Sequence, residues 1–443
     1  MIKNIFLITV DCLRADYLGC INEKINLTPN IDRFSENSLL YTKAFSTGPG
    51  TRQSFPAILS STYLHQHAGM RLLQGKITLA EVLKSNGFKT VGIHSNPFLS
   101  KPLGWGRGFD EFYDHLRDIN SPSKIATKFQ NYKSMKKISS IIFNLLSESQ
   151  KEKIFRLFSN VYYKSTNLKI PYMEAHMINT EVINWLDRNR TEKLFIWVHY
   201  MDPHYPFIPP EKYLKCFNSR YEAFNFNLQI DYKNPIDDHI KILKKLYEGE
   251  VKYVDEYVGE FINYLNENNF LENSVVIITA DHGNAFMEHG KFAHAFDILY
   301  NEVIHVPLII HYCGYRGVND ANISLIDLPS TILDILKINK PDSFLGSSLL
   351  TSNDKLIDRI IFSESAKPNY HNLTHDVKNL LVSCIYNNWK LIKNDIYKTI
   401  ELYNLKNDFY EKVNLIEYEK SVSIELLEKI RDHLSKEFIL KGK

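Results

Sequence analysis

Three stretches of the chain place cation-binding or hydroxyl-activating side chains directly after short apolar, β-forming runs. Asp11 follows Ile5 to Val10, and Asp281-His282 follows Val275 to Ala280, with Gly283 available for a tight turn. The run Leu194 to His199 leads into Tyr200-Met201-Asp202-Pro203-His204. Carboxylates favour hard ions and imidazoles favour Zn²⁺ or Mn²⁺, so the mixed set suits one divalent metal ion: Mn, Mg, Zn or Ca. Each stretch alone is weak evidence. A strand-end Asp is commonly a helix cap, and a single His is commonly a hydrogen-bonded structural residue. Asp16 and Asp202 are assigned to turns and caps on that ground.

The elements that must position these residues alternate between β-rich runs and helical periodicity, the pattern of a mainly parallel sheet covered on both faces. Strands are expected from Ile5 to Val10, Lys89 to His94, Leu194 to His199, Val275 to Ala280, Pro307 to His311 and Arg359 to Ser363. Helices are expected from Leu79 to Ser85, Met177 to Arg188, Asp238 to Glu267 and Ile323 to Leu336. In open sheets of this kind ligands lie outside the carboxyl ends of the strands, which is where the three polar stretches fall. A catalytic domain over 1–350, with a helical insertion near 115–170, and a smaller α+β lobe over 351–443 ending in a charged helix from Ile424 to Glu437 complete the expectation.

The composition is that of an ordinary globular protein: 443 residues, 44% hydrophobic, 53 Lys and Arg against 51 Asp and Glu. A net charge of +2 lacks the strongly basic footprint of a nucleic-acid binder. The exception is local. Between Ser121 and Ile170 ten basic residues face Glu148 and Glu152, and Ile138, Ile141, Ile142, Leu145 and Leu146 mark an amphipathic helix. A helical insertion that packs its apolar stripe on the body and leaves its lysines in water is the favoured reading, and a basic lid that meets an anionic substrate or makes peripheral membrane contact is the sharper one. No apolar run reaches the ~18 residues of a membrane span. The opening run lacks a small-residue cleavage site and reads as a strand, not a signal peptide. The five cysteines, Cys12, Cys20, Cys216, Cys313 and Cys384, are scattered and odd in number, so a reduced, cytoplasmic chain is expected.

The order and surroundings of these residues resemble the sulfatase family of the alkaline phosphatase superfamily. The resemblance is carried by Ile8-Thr9-Val10-Asp11-Cys12-Leu13-Arg14-Ala15-Asp16, Thr28-Pro29-Asn30-Ile31-Asp32, Asp202-Pro203-His204-Tyr205-Pro206, and Asp281-His282-Gly283 followed by Glu288-His289-Gly290. It continues through Val306 to Ile310, Ile326 to Asp334, Glu401 to Asp408 and Asn414-Leu415; only the insertion near 115–170 and parts of 215–240 fall outside it. It implies an alkaline-phosphatase-like three-layer α/β/α sandwich with a mostly parallel central sheet.

The resemblance also locates the nucleophile, where this chain departs from the family pattern. Formylglycine sulfatases carry a Cys or Ser, then Pro two residues on and Arg four residues on. With the register fixed on Ser60 to Gly69, Thr51 takes the nucleophile position, Gln53 the Pro position and Phe55 the Arg position. A threonine cannot become formylglycine. Thr at this position resembles superfamily phosphodiesterases and phosphoethanolamine or glycerophosphate transferases, and a metal ion or a base must activate its hydroxyl. The rival is Ser54, whose Ser-x-Pro with Pro56 mimics a formylglycine site but lacks the Arg, with Ile58 in its place; it is otherwise a helix N-terminal residue supporting the turn.

The resemblance thus implies a metal site from Asp11, Thr51, Asp281 and His282, with Cys12 where many sulfatases have a second Asp. His204 is implied as the family's active-site histidine, His294 lies near a basic residue that contacts the anion, and Arg52 is placed to hold a phosphoryl oxygen. Asn96, His199 and Lys291 are pocket residues, while His65, His67 and His289 are assigned to packing and turn hydrogen bonds. The expected activity is hydrolysis, or transfer, of a phosphodiester or phosphonate ester through a covalent Thr51 intermediate. The substrate is an anionic ester, whether of a glycan, a polymer or a lipid headgroup. Sulfate-ester hydrolysis is the alternative, and an inactive binding protein that kept the fold is the third reading.

Overall fold

The computed structural model describes residues 2–67, 71–72, 75–116, 172–189, 193–231, 235–312, 314–350, 356, 359–369 and 374–435. Its strands are β1 (Asn4–Val10), β2 (Leu39–Phe45), β3 (Lys89–Ile93), β4 (Glu111–Tyr113), β5 (Leu194–Tyr200), β6 (Ser274–Ala280), β7 (Ala285–Phe286), β8 (Phe292–Ala293), β9 (His305–Tyr312), β10 (Gly317–Asn319), β11 (Ile323–Ser324), β12 (Ile361–Asn369), β13 (Thr374–Tyr386), β14 (Trp389–Asn394) and β15 (Thr399–Asn404). A nine-stranded sheet runs β10-β2-β9-β6-β1-β5-β3-β4, with β11 also on β2. β1 lies at its middle, parallel to β5 and β6, and β9 is the antiparallel member, between β2 and β6. Every residue of β1, β5 and β6 is buried. Because successive side chains point to opposite faces, both faces of the sheet are covered.

The helices that matter for the site are α1 (Pro29–Ser35), α2 (Thr51–Ser60), α3 (Leu64–His67), α4 (Leu79–Ser85), α5 (Ala175–Arg188), α6 (Asp237–Glu267), α7 (Leu328–Ile335) and α8 (Lys420–Ser435). On α6 the buried Leu243, Leu246, Tyr247, Val251, Val254, Val258, Phe261 and Leu265 recur at helical spacing, which gives it one apolar face for the core. A Thr78–Glu81 capping box starts α4, satisfying two backbone donors reciprocally. No helix among the described residues is long and apolar enough to cross a membrane.

A second, antiparallel sheet runs β12-β13-β14-β15. It does not stand apart from the first. Phe362, Val382, Leu391 and Leu402 share one apolar cluster with Ala57 of α2, Tyr63, Leu64 of α3 and Leu426 of α8, and Ile361, Leu381 and Tyr403 share another with Phe45 and Ile304.

The run from Arg359 to Ser363, expected as a strand of the parallel sheet, opens this second sheet through β12 instead. The helix expected from Ile323 to Leu336 is divided: Ile323–Ser324 pair with β2, and Ser324 and Asp327 then form a capping box that starts a fresh helical turn leading into α7. β2 was not anticipated, because Thr42-Lys43 interrupts its apolar run and its pairing with β9 is irregular at that point. The basic stretch from 121 to 170, with the amphipathic helix expected there, lies outside the described residues.

Candidate active site

Strand register brings the first two carboxylates together. Val10 is paired with Ala280 of β6 on one side and Tyr200 of β5 on the other, so Asp11 and Asp281 leave adjacent parallel strands at the same level. Neighbouring strands lie about 4.8 Å apart, which sets the side chains facing each other. His282 follows, and its chain direction is held by Gly283, where an added Cβ would meet the Glu302 carbonyl at 2.4 Å. That close approach, with Gly283 N–H bonded to the Val303 carbonyl, is why glycine is required there; no left-handed turn is involved.

Four donor atoms converge at this point. His282 Nε2 is 3.6 Å from Asp11 Oδ1, 3.4 Å from Asp281 Oδ2 and 3.5 Å from Thr51 Oγ1. Asp11 Oδ1 and Asp281 Oδ2 are buried oxygens with no hydrogen-bond partner. Buried polar atoms are rarely left unpaired, so a group must satisfy them. Ligands bound at about 2.0–2.2 Å around a tetrahedral ion stand about 3.3–3.6 Å from one another, and the observed separations match. The outer hydrogen bonds agree with that use. His282 Nδ1 is 2.9 Å from the Gly283 carbonyl, which places the proton on Nδ1 and leaves the Nε2 lone pair toward the carboxylates. Asp11 Oδ2 accepts from Asn96 Nδ2 at 2.9 Å and lies 3.3 Å from His199 Nε2. The donor set therefore fits a divalent cation.

Electrostatics carry the same message. Burial and the charge of Asp11 push the Asp281 carboxyl well above its ordinary range. Burial alone would raise Asp11 too, but the facing His204, the His199 hydrogen bond and His282 hold it well below that range. Two such carboxylates cannot both stay charged in a buried site without a cation between them.

Thr51 is the first residue of α2, after Gly50 in extended conformation as its N-cap. The first N–H groups of a helix lack intrahelical partners and carry about half a positive charge, so the hydroxyl stands where an anion is favoured. Asn96 Nδ2 is 3.5 Å from Thr51 Oγ1, and its own Oδ1 is fixed by the Phe98 N–H at 2.9 Å. Ser54, the rival, points its hydroxyl back to the Gly50 carbonyl at 3.1 Å, within its own helix. Phe55, at the position where the resemblance expects Arg, packs edge-on against His199 with ring centroids 5.2 Å apart.

His204 and His294 join the cluster from two loops, their rings 5.0 Å apart and His294 4.6 Å from His282. Burial, with His282 and His204 nearby, holds His294 neutral, well below its ordinary value. His199 is buried behind Asp11, its Nδ1 2.9 Å from Thr9 Oγ1. Arg52, next to Thr51, lays its guanidinium over the Phe98 ring at 4.2 Å. Lys291 is paired with Asp297 at 2.7 Å, so its ammonium is engaged outside the donor cluster. His289 is 2.7 Å from Glu302 and stacks on Tyr300, and His65 is 2.7 Å from Glu364.

Two residues assigned to turns do more than that. Asp16 clasps Arg14 through both oxygens, at 2.9 and 2.8 Å. Asp202 is buried, and burial, then Glu174, push its carboxyl up to about 8. The position of Cys12 against the imidazoles, 3.6 Å from His294 Nδ1 and 3.8 Å from His282 Nδ1, was not read from sequence; its adjacency to Asp11 was the available signal.

An α/β sandwich with strand-end carboxylates and imidazoles beneath a hydroxyl at a helix N-terminus is the architecture of alkaline-phosphatase-like hydrolases. The sulfatase family profile matches residues 3–338, and the chain belongs to the sulfatase family. A second profile, N-sulphoglucosamine sulphohydrolase, C-terminal, matches residues 287–438. Among curated proteins, the uncharacterized sulfatase YidJ of Escherichia coli is 24% identical, covering 94% of this chain and 83% of its own. Human iduronate 2-sulfatase is 25% identical over 70% of this chain, which spans only 60% of that protein. The arylsulfatase of Clostridium perfringens is 24% identical over 79% of this chain and 78% of its own. In fold, the chain is similar to the phosphonate monoester hydrolase of Agrobacterium radiobacter, with a TM-score of 0.70 at 17% identity over 97% and 95% of the two chains. It is also similar to a protein solved in complex with its substrate D-glucosamine-2-N,6-O-disulfate, with a TM-score of 0.69 at 18% identity over 100% of each chain. The protein is thus a sulfatase-family hydrolase.

Proposed function

We propose that this chain is a metal-dependent hydrolase of anionic esters in which Thr51 is the nucleophile and a phosphodiester or phosphonate ester is the substrate. The observation that carries the reading is the convergence of Thr51 Oγ1 and His282 Nε2 on the unpartnered Asp11 Oδ1 and Asp281 Oδ2. A divalent ion held by Asp11, Asp281, His282 and Thr51 would lower the pKa of the threonine hydroxyl and stabilise charge developing on the ester oxygens.

The remaining steps belong to the chain's own groups. Thr51 loses its hydroxyl proton to solvent and its Oγ1 attacks phosphorus; a new P–O bond forms and the bond to the alcohol breaks in line. His204, whose Nδ1 is tied to the Tyr205 carbonyl at 2.5 Å, has Nε2 left for proton transfer, and it protonates the departing oxygen. His294 and the first N–H groups of α2 face the non-bridging oxygens. Asn96 orients both Thr51 and Asp11. Water then attacks the phosphothreonine, giving a proton back to His204, and frees the Thr51 oxygen, which regains its proton from solvent; an acceptor hydroxyl in place of water makes the reaction a transfer. The organic part of the substrate is a glycan, a polymer or a lipid headgroup.

Sulfate-ester hydrolysis is the second reading, favoured by relatives named iduronate 2-sulfatase and arylsulfatase. Threonine lacks the aldehyde hydrate that formylglycine offers, so a sulfated Thr51 would depend on direct attack by water at sulfur. Turnover of an aryl phosphodiester, an aryl phosphonate monoester and an aryl sulfate by stripped and metal-resupplied protein separates the two. Preference for a phosphorus ester that needs both ion and Thr51 supports the first reading, while sulfate preference with Thr51 dispensable would refute it.

A further inference from the structure

A chain of hydrogen bonds reaches Asp11 from the interior of the sheet. Thr9 of β1 lies opposite His199 of β5, and Leu7 lies opposite Trp197. Side chains two apart on a strand share a face, which sets Trp197 beside His199 and Thr9 next to both. Trp197 Nε1 donates to Thr9 Oγ1 at 3.0 Å, Thr9 Oγ1 is 2.9 Å from His199 Nδ1, and His199 Nε2 is 3.3 Å from Asp11 Oδ2. The indole, the hydroxyl and the imidazole thus follow one another without a break to the carboxylate.

The chain is fully buried. Thr9, Trp197 and His199 have no exposed surface, and neither has Phe55. The Phe55 ring packs against both aromatic members, with centroids 5.2 Å from His199 and 5.3 Å from Trp197. Polar atoms so enclosed must be satisfied by one another. An uncharged imidazole has one donor nitrogen and one acceptor nitrogen, and an ionised carboxylate only accepts. Facing Asp11 Oδ2, His199 must therefore carry its proton on Nε2, which leaves a lone pair on Nδ1 in need of a donor. The indole N–H of Trp197 is a donor only and occupies one lone pair of Thr9 Oγ1. The Thr9 hydrogen has two acceptors within reach, the Val198 carbonyl at 3.2 Å and His199 Nδ1 at 2.9 Å. The lone pair on Nδ1 selects the second.

We propose that Thr9 is a positioning residue that sets the tautomer of His199: its hydroxyl donates to Nδ1, which keeps the ring's proton on Nε2 and aims it at Asp11 Oδ2. Asn96 Nδ2 donates to the same oxygen at 2.9 Å. Two donors fill Oδ2, so Oδ1, the oxygen without a partner, is the one left for a cation. Thr9 acts through His199 and Asp11 and touches neither ion nor substrate. The inference rests on the reading that Asp11, Asp281 and His282 hold a divalent ion.

The test reads the ring itself. The full chain, carrying isotope-labelled histidine and stripped by a chelator, is examined by long-range proton–nitrogen correlation, the His199 signals being identified by their loss in His199→Asn. Zn²⁺ affinity is measured in parallel by competition with a chromophoric chelator. The expected wild-type ring has a proton on Nε2 and none on Nδ1. Thr9→Val keeps the side-chain shape without the hydroxyl, and should move the proton to Nδ1 and weaken Zn²⁺ binding about 10–100-fold, the scale for losing an outer hydrogen bond. Thr9→Ser restores the hydroxyl and should return both the tautomer and the affinity. A wild-type ring with a proton on Nδ1 would overturn the proposal, whether or not the variants fold. So would a Thr9→Val protein with the wild-type tautomer, or equal weakening in Thr9→Val and Thr9→Ser, which would mark a packing role. A wild type that binds no Zn²⁺ would refute the reading of the carboxylates as an ion site, while the tautomer in the stripped protein would still decide the role of Thr9.

Discussion

Thr51 Oγ1 and His282 Nε2 stand 3.5 Å apart across 231 positions of sequence. One opens a helix and the other lies two residues beyond the end of β6, and the same nitrogen is within 3.6 Å of both unpartnered aspartate oxygens. The hydroxyl therefore shares its surroundings with the atoms that most need a cation, and its reactivity is expected to follow metal occupancy.

Replacing Thr51 by Ala should lower kcat/KM for the preferred ester by at least about 10³-fold, the scale on which loss of a nucleophile leaves only binding and electrostatic stabilisation. Thr51→Ser keeps the oxygen and should retain measurable turnover. Intact-mass analysis of quenched reactions should show a phosphorylated chain in the wild type and none in Thr51→Ala.

Removing the divalent ion should destabilise the fold, because Asp11 and Asp281 then face each other buried and uncompensated. At free ion one hundred times its Kd the stabilisation is about 2.7 kcal/mol. Asp281→Asn should make the metal-free protein more stable than metal-free wild type and abolish the ion's effect on Tm. Denaturant unfolding with and without chelator measures both.

Asn96→Ala removes the donor that holds Asp11 Oδ2 at 2.9 Å without removing a ligand atom. Loss of such an outer partner costs about 10–100-fold in metal affinity. Competition with a chromophoric chelator should show this loss while Lys291→Ala, whose ammonium serves Asp297, leaves affinity unchanged.

Glu364 provides a pH dependence away from the site. Burial would raise its carboxyl, but hydrogen bonds from His433 and His65 lower it from the ordinary 4.5 to about 2. A depressed carboxylate stabilises the fold above its unfolded pKa, and that contribution is lost as pH falls from about 4.5 toward 2. The shift corresponds to roughly 3 kcal/mol. The stability gap between wild type and Glu364→Gln should accordingly be full near neutrality and shrink on acidification, as read by urea unfolding at a series of pH values. A gap independent of pH would show that the carboxylate charge contributes nothing.

The parts of this molecule legible in sequence are those whose signal is local. Continuous apolar runs reveal β1, β5 and β6, and the polar residue after each run is where the fold places Asp11, His282 and the His204 loop. α4 reads to the residue because its capping box lies within four positions. What stayed hidden depends on partners far along the chain. Nothing near Lys291 in composition marks Asp297 as its counter-ion, nothing near His65 points to Glu364, and the contact of Cys12 with His294 requires knowing how two loops fold over β1. The β13–β15 meander is harder to read, because the buried run from Leu380 to Ile385 sits behind a polar, exposed start of β13 and β15 opens on exposed residues.

The central place of β1 also bears on how the chain is made. Its two neighbours, β5 and β6, begin at Leu194 and Ser274, so a ribosome working at roughly 5–20 residues per second emits the sheet's middle strand many seconds before either partner exists. Until then an entirely apolar strand has no ladder to join, and every such pairing must close a long loop. Chaperone capture of nascent chains should concentrate on this interval and end once β6 emerges, so Asp11 and Asp281 meet only when the last of these three strands joins the sheet.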